Sequence, residues 1–405
     1  MELQGKPFAV RIDGYLEATR FYPVTLNEDI PFDLQSLCPC CESALTPMCT
    51  FTSESETKVI RWGVCGKCGH MTYIDRPQQS WMVEFYRHQW DRFPKSPETI
   101  RESLALPKEG RKGSRYIMYS LVENLPVDKS RPVCEIGSGY GEVLKNLQLA
   151  GFQKVIGVEN SSHRAQNVTA AFGISVLHGD FEGERVQSAL AVQGPVAVFY
   201  SHHVLEHTYH PSQIVQAISR NQKEGDYLIF AVPNAEGEHI NLALFFLAHM
   251  HSFTRMSLES LLNRFGYQVV QDASPDKTNL FLVAQKTSNP VPHFREVKDW
   301  CAEVMSRAQR VFKLPEMKPG RPFELRWQDC VEDFDYTEAN PRSDGWMGNV
   351  GWRLKKAWLE TKAHRLRRFK GYHLMRVHCP VERRTLQNES PLEFRFRGPI
   401  QLLLK

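Results

Sequence analysis

The stretch Val133-Cys-Glu-Ile-Gly-Ser-Gly-Tyr-Gly-Glu142 is the part of the sequence that decides the predicted fold. A short apolar strand leads into Gly137, Gly139 and Gly141, and a helix with apolar periodicity begins at the last glycine. Glycines in such a loop let the backbone approach a ligand beside the positive end of a helix. The spacing is G-x-G-x-G, whereas dinucleotide sites have G-x-G-x-x-G. Glu135, just before the loop, would repel a phosphate but attract an ammonium group.

Strand and helix patterns alternate on both sides of this loop, from residue 131 to about residue 286. The apolar runs of strand length are 133–136, 154–158, 174–177, 196–200, 227–232 and 280–284. The helical patterns between them are 141–150, 163–172, 211–221 and 257–265. Such alternation predicts an α/β fold with a largely parallel, doubly wound sheet. Glu159 and Asp180 end the second and third strands, and an acid at the end of the second strand is suited to bind ribose hydroxyls.

Five cysteines lie close together near the start of the chain. Cys38-Pro-Cys-Cys41 and Cys65-Gly-Lys-Cys68 are two C-x-x-C knuckles separated by 23 residues. Two knuckles supply a tetrahedral shell of four thiolates that suits Zn²⁺ and leaves no open position. We therefore predict a structural zinc bound by Cys38, Cys41, Cys65 and Cys68. Cys40 is an alternative to Cys38, although its spacing to Cys41 is not that of a knuckle.

Length, composition and charge narrow the class of protein. The 405 residues predict two or three domains, and 42% hydrophobic with 24% charged residues is a globular composition. The longest apolar run, 242–248, is too short for a membrane span, and no secretion pattern opens the sequence, so we expect a cytoplasmic protein. Residues 291–405 carry 23 Lys/Arg against 15 Asp/Glu, a net charge of +8, and residues 1–290 carry 27 against 31, a net charge of −4. This asymmetry is too small to establish a nucleic-acid partner.

On these motifs the sequence resembles the class I S-adenosylmethionine-dependent methyltransferases, over about residues 115–286. The resemblance implies a Rossmann-like sheet of seven strands with S-adenosylmethionine as methyl donor. The glycine loop with Glu135 would frame the methionine part of the donor, Glu159 the ribose, and Asp180 with Phe181 the adenine. The cofactor-binding residues implied in this way are Glu135, Gly137, Ser138, Gly139, Gly141, Glu159, Asp180, Phe181 and Ser201. A dinucleotide-binding fold and an inactive homologue are the alternatives.

The cysteine region and the core together look like the zinc-containing sugar C-methyltransferases of deoxysugar pathways. That resemblance implies a carbohydrate-type acceptor that could be linked to a nucleotide. Those relatives carry another sheet-containing domain after the core. Residues 291–405 are instead Trp-rich, basic and irregular, with a helical pattern at 294–312 and strand-like runs at 392–397 and 399–404. We expect an α+β extension there.

The acid–base candidates follow the fourth strand, in Ser-His-His-Val-Leu-Glu-His over residues 201–207. Class I relatives place the acceptor over this segment, which makes His203, Glu206 and His207 the candidates. Methyl transfer is an in-line displacement that needs alignment and, for many acceptors, removal of one proton. In the structural alternative, Glu206 and His207 only bond to the backbone of a turn. His202 is interpreted as a neighbour of the site.

A later segment, residues 249–255, adds His251 as a candidate residue of the acceptor pocket. Relatives carry a similar His-x-Phe-Thr stretch near their acceptors. The alternative is a local role in which Thr254 caps the following helix. Tyr86 and His88, on a predicted helix ahead of the core, could form a lid.

We divide the chain into residues 1–80 (zinc-binding domain), 81–130 (helical linker or lid), 131–290 (methyltransferase domain) and 291–405 (basic C-terminal domain). The favoured interpretation is a methyltransferase that acts on a small-molecule or carbohydrate-type acceptor. The alternatives are an RNA methyltransferase that grips phosphates with its zinc ribbon and basic tail, and an S-adenosylmethionine-binding scaffold without activity. The mildly acidic body and the lack of an Asn/Asp-Pro-Pro-Tyr motif after strand four weigh against RNA. The sequence leaves the acceptor atom and the oligomeric state open.

Overall fold

The structure is a computed structural model, described here for residues 31–52, 59–90, 95–105, 114–236, 249–275, 279–291, 302 and 323–326. The predictions for residues 1–30, for nearly all of the helix at 294–312 and for the chain beyond residue 326 lie outside these residues. So does the apolar run 242–248. Among the described helices, none combines the length and the apolar character that a membrane span requires.

The cysteine region forms two small sheets, and three helices follow it. Its elements are β1 (Phe32–Leu34), β2 (Leu45–Thr52), β3 (Val59–Cys65), β4 (Met71–Tyr73), β5 (Asp75–Pro77), α1 (Gln79–Trp90), α2 (Pro97–Ala105) and α3 (Ser114–Glu123). Strand β1 pairs with β5, while β2, β3 and β4 form an antiparallel meander. Pro97 opens α2, at the helix position that needs no backbone N–H.

The second part alternates strands and helices around one larger sheet. Its elements are β6 (Val133–Ile136), α4 (Glu142–Leu149), β7 (Val155–Glu159), α5 (Ser162–Phe172), β8 (Ser175–His178), α6 (Glu184–Val192), β9 (Val198–His202), α7 (Pro211–Arg220), β10 (Tyr227–Pro233), β11 (His251–Ser252), α8 (Arg255–Arg264), β12 (Tyr267–Asp272), β13 (Asn279–Lys286) and β14 (Phe323–Arg326). The sheet order is β12-β13-β10-β9-β6-β7-β8, and β13 is antiparallel to both of its neighbours. The predicted doubly wound, seven-stranded fold is confirmed.

The central strands of the larger sheet are more deeply buried than its edge strand β8. Every residue of β6 and β7 is buried, as expected for central parallel strands with helices on both faces. At one edge, β8 has two exposed residues at its ends and two half-buried residues between them. Helix α7 is amphipathic, and Ile214, Val215 and Ile218 on its buried face pack into the core.

Two elements of the core are missing from the sequence prediction. Helix α6 buries Val186 and Leu190, one turn apart, but most of its other positions are exposed or half-buried and its apolar pattern is weak. Strand β12 is an edge strand whose last three residues are exposed, and it contains a bulge between Val269 and Gln271. Half-buried edge elements carry less apolar periodicity than central ones, so their sequence signal is weaker.

The sheet of the cysteine region includes strands from later parts of the chain. Its order is β11-β4-β3-β2-β14, with β11 antiparallel to β4 and β14 parallel to β2. The cysteines also belong to the same buried core cluster as residues of the larger sheet. The division into four domains remains a prediction, but the first and third share a core and a sheet.

Candidate methyl-transfer site and cysteine cluster

The glycine loop lies between β6 and α4, and its backbone has the left-handed conformation that favours glycine. The φ angles are 71° at Gly137, 56° at Gly139 and 70° at Gly141. An added Cβ would lie 2.3 Å from Val204 Cγ2 at the first glycine and 2.6 Å from Val168 Cγ1 at the third. At Gly139 it would meet none of the described atoms within 4 Å. Packing therefore explains the outer two glycines, and the middle one faces open space that a ligand can approach.

Glu159, at the carboxyl end of β7, connects the second strand to this loop. One carboxylate oxygen accepts a hydrogen bond from the Gly139 N–H at 2.8 Å, and the other accepts one from the Ser161 N–H at 3.1 Å. The residue is 8% exposed. Two backbone N–H groups fix its carboxylate beside the middle glycine, which is where a donor bound to the loop would lie.

The predicted adenine residues lie at the end of β8. Asp180 accepts a hydrogen bond from Asn160 Nδ2 at 3.0 Å. Phe181 is buried, with its ring edge-on to Phe199 at 5.7 Å between ring centroids. Asp180 is therefore held beside the end of β7, and Phe181 forms part of the core next to it.

Glu135 is buried on β6, just before the glycine loop, and accepts a hydrogen bond from Tyr200. The Tyr200 hydroxyl donates to its carboxylate at 3.4 Å. Burial raises the pKa of Glu135 to about 8, although the charge of Arg115 and the bond from Tyr200 oppose that rise. A cationic group placed nearby would favour the ionised carboxylate, which agrees with the predicted role toward the donor's ammonium.

The two predicted serines lie near the carboxyl ends of two neighbouring strands, β6 and β9. Ser201 on β9 is buried and pairs in register with Ile136, the last residue of β6. Ser138 is buried, and its hydroxyl has no hydrogen-bond partner among the described residues. The end of β9 thus lies beside the start of the glycine loop.

His203 leaves β9 with a backbone conformation that is uncommon for a residue with a side chain. Its φ is 54°, and such residues are concentrated at functional sites. Its Nδ1 lies 3.0 Å from Glu206 Oε1, and its side chain is 32% exposed. The preceding His202 is more deeply buried, and burial holds its pKa well below the usual range. Of these two histidines, His203 is the one that solvent or an acceptor can reach.

A 3-10 helix, Leu205–His207, begins two residues after His203. It contains Glu206 and His207. Glu206 is fully buried. Burial alone would raise its pKa, but the hydrogen bond with His203 and the charges of the surrounding histidines lower the pKa to about 2. His207 packs against His249, with 4.7 Å between ring centroids, and its ring is edge-on to Tyr86 of α1. The lid role of Tyr86 stays a prediction, and the side chain of His88 is outside the described parts.

His251 lies on β11, in the sheet of the cysteine region. It is 1% exposed, and its Nδ1 lies 3.2 Å from Nε2 of the fully buried His70. Burial lowers the pKa of His70 to about 4 and that of His251 well below its usual range, so both rings are neutral. Thr254 caps α8, as the structural alternative predicts, and its hydroxyl also donates to the Cys68 carbonyl at 2.8 Å.

The four predicted zinc ligands converge on one point. The Sγ–Sγ distances are 3.6 Å for Cys38–Cys68, 3.4 Å for Cys41–Cys65 and 3.5 Å for Cys41–Cys68. Sulfur atoms on one tetrahedral Zn²⁺, with bonds of about 2.3 Å, lie about 3.8 Å apart, whereas a disulfide needs about 2.0 Å. The set therefore fits a single ion. Cys40 is buried but is not one of the four.

The two knuckles have the same backbone geometry. In each, the residue after the second cysteine has a positive φ, 60° at Glu42 and 72° at Gly69. In each, that residue's N–H donates at 2.9 Å to the carbonyl of the first cysteine. Hydrogen bonds with neighbouring thiols, that with Cys38 first, lower the pKa of Cys41 and raise the pKa of Cys68. The thiols cannot all ionise together without a cation, and a bound Zn²⁺ would supply that charge.

The strand order, the glycine loop and the acid that ends β7 are those of a class I S-adenosylmethionine-dependent methyltransferase domain. Residues 110–272 match the family model described as a methyltransferase domain. Among curated proteins, none matches this chain.

Two solved structures illustrate the similarity. An S-adenosylmethionine-dependent methyltransferase from Mesorhizobium loti is 14% identical, with a TM-score of 0.36, over 43% of this chain and 99% of its own. Magnesium protoporphyrin IX methyltransferase from Synechocystis PCC 6803, with bound S-adenosylhomocysteine, is 13% identical, with a TM-score of 0.35, over 52% of this chain and 100% of its own.

The structure brings together the glycine loop, Glu159 and the His203–Glu206 pair at the carboxyl ends of β6, β7 and β9. It places His251 on β11, in the sheet of the cysteine region. His70 and His249 are not among the residues predicted from the sequence. His249 lies only two residues before the predicted His251, so its closeness to a candidate is the signal that points to it. The roles of the individual residues remain predictions.

Proposed function

We propose that this methyltransferase acts on a small-molecule acceptor of carbohydrate type, and that His203 takes the acceptor's proton. The observation that carries the proposal is the His203–Glu206 pair, 3.0 Å apart at the carboxyl end of β9. That end adjoins the glycine loop, because Val204 fills the space that a side chain at Gly137 would need. A group on His203 is therefore close to a donor held by the loop.

The tautomer of His203 supports this role. A buried carboxylate can only accept a hydrogen bond, so Nδ1 donates to Glu206 and the lone pair lies on Nε2. An imidazole oriented in this way can accept a proton from a hydroxyl group. The acceptor atom would attack the donor's methyl carbon as the carbon–sulfur bond breaks, leaving a neutral thioether, while the acceptor's proton passes to Nε2.

The donor side of the proposal uses the residues at the ends of β6, β7 and β8. Glu159 would bind the ribose hydroxyls, Asp180 with Phe181 would contact the adenine, and Glu135 would face the ammonium group. The position of Glu159, fixed by two backbone N–H groups beside Gly139, supports this assignment. The serines, Gly137 and Gly141 would line the rest of the donor site.

Zinc would occupy the cysteine cluster and would have a structural role. Four thiolates fill a tetrahedral shell, so the ion would have no open position for a substrate. The proposal of a carbohydrate-type acceptor follows from the combination of a four-cysteine region with this core, which the zinc-containing sugar C-methyltransferases share.

The test is a search for the acceptor with labelled donor. The full chain is incubated with methyl-labelled S-adenosylmethionine and either nucleotide-linked sugars or total RNA, and products are analysed by mass spectrometry. We expect label in the sugar fraction with the wild type and, at a donor concentration near the wild-type Kd, much less label with Glu159→Ala. Label in RNA alone would overturn the proposed acceptor class, and label in neither fraction, despite donor binding, would favour a non-catalytic scaffold.

A further inference from the structure

A second group of metal-binding side chains lies apart from the cysteines, at the end of β9. It comprises Glu206, His207 and His249, which we call the histidine cluster. Their ligand atoms all lie within 4.8 Å of one another. His207 Nε2 is 3.9 Å from Glu206 Oε1, and the two imidazole rings are in edge contact. Two imidazoles and one carboxylate are a donor set typical of zinc and related ions.

Glu206 provides a second, independent observation. It is 0% exposed, and His203 satisfies only its Oε1. The other oxygen, Oε2, is buried without a hydrogen-bond partner among the described residues. A carboxylate oxygen that is buried and unpaired is costly, and a bound cation removes that cost.

From these observations we propose that the histidine cluster binds one divalent transition-metal ion. Imidazole nitrogen favours ions such as Zn²⁺ or Co²⁺ over Mg²⁺, which prefers oxygen. Ligand atoms bound at about 2.0–2.1 Å to a tetrahedral ion lie about 3.4 Å apart. The distances between the three ligand atoms, which are at most 4.8 Å, would therefore have to shorten by up to about 1.4 Å. Movement of the His207 and His249 side chains, which are both half-buried, would allow that closure.

Three protein ligands leave at least one coordination position open. Water would occupy that position in the absence of substrate. Because the cluster adjoins His203, an oxygen of an acceptor bound at the end of β9 could replace the water. Binding of the ion itself requires neither an acceptor nor the proposed methyl transfer.

The experiment counts metal ions in the full-length protein. Zinc per chain is measured by elemental analysis after purification and again after incubation with Zn²⁺ and removal of unbound metal. We expect one further equivalent in the wild type. The same increment is expected for His163→Ala, which removes an exposed histidine of α5. His249→Ala and Glu206→Gln should bind the added equivalent at least tenfold more weakly and keep whatever metal the cysteines hold.

Co²⁺ gives a readout that identifies the site. A cobalt ion in the histidine cluster should show weak visible bands without the thiolate charge-transfer absorption of a cobalt ion among cysteines. If Glu206→Gln fails to fold, as judged by circular dichroism, His249→Ala alone decides the matter. The inference is overturned if the wild type takes up no further equivalent, or if a folded His249→Ala variant takes up the same increment with the same affinity.

Discussion

The molecule contains two clusters of metal-type ligands, and they differ in almost every respect. The cysteine cluster is built from two knuckles with matching backbone geometry, and its four thiols fill a tetrahedral shell. The histidine cluster has three ligands, one of them on a separate loop, and lies beside a histidine with an uncommon φ. The first arrangement suits an ion that holds a fold together. The second suits an ion, or a proton, that takes part in an exchange with solvent or substrate.

This contrast predicts that the largest effect will come from the closed cluster. Cys65→Ser removes one of four thiolates, and binding of a structural zinc contributes about 10–16 kcal/mol to folding in zinc-finger peptides. We expect insoluble or zinc-free protein. The matched control is Cys40→Ser, a buried cysteine outside the cluster, which should keep one zinc per chain in elemental analysis. Native protein without stoichiometric zinc would contradict the structural role.

A loss of activity without a loss of fold is expected beside the histidine cluster, at His203. His203→Ala should lower turnover roughly 10²–10⁴-fold, because it removes the group proposed to take the proton. Donor affinity, measured by calorimetry, should stay nearly unchanged, since the proposed donor site lies at the ends of β6, β7 and β8. His210→Ala serves as the control, because His210 lies in the same segment but outside the His203–Glu206 pair. Near-normal turnover in His203→Ala would leave Glu206 as the next candidate.

A variant outside both clusters tests whether the donor site is independent of them. Glu159→Ala should weaken S-adenosylmethionine binding by about 1.5–3 kcal/mol, the range for hydrogen bonds to a charged group. Its zinc content should not change. Glu184→Ala, at an exposed position of α6, is the comparison variant for the titration. Equal affinities of the two variants would refute the assignment of Glu159 to the ribose.

The smallest expected effect concerns the link between the cysteine cluster and the larger sheet. Thr254→Val removes the helix cap of α8 and the bond to the Cys68 carbonyl, at a cost of about 1–2 kcal/mol in the free energy of unfolding. Denaturant titration measures this, with Thr169→Val on the exposed face of α5 as reference. A midpoint equal to that of the reference would mean that the link does not contribute to stability.

The same contrast explains what could be predicted from the sequence. The cysteine ligands were predictable because each pair is local, with a spacing that only a knuckle explains. Strand β6 agrees with its predicted bounds because every one of its residues is buried and a glycine follows its last residue. The contacts of His251 and His249 were not predictable. His70 is 181 positions from His251 in the sequence. His249 contacts His207 only because the chain folds back on itself, and no local sequence spacing indicates that contact.

Glu159 illustrates an intermediate case. Its position at the end of the second strand was predicted, and with it a place near the glycine loop. Its two hydrogen bonds to backbone N–H groups were not, because they depend on how the loop curves after Gly137. Sequence patterns thus give the side chain and its neighbourhood, and the backbone path gives the contacts.

The pairing of β14 with β2 has a consequence for how the protein is made. Residues 323–326 complete a sheet whose first strands are translated much earlier, and β11 joins it in between. At roughly 5–20 residues per second, a ribosome needs on the order of ten seconds or more to travel from β2 to β14. During that interval the nascent chain exposes an unpaired strand edge, which is a hazard for aggregation. Metal loading of the two knuckles, whose residues emerge together, is the step that could stabilise this region before its last strand arrives.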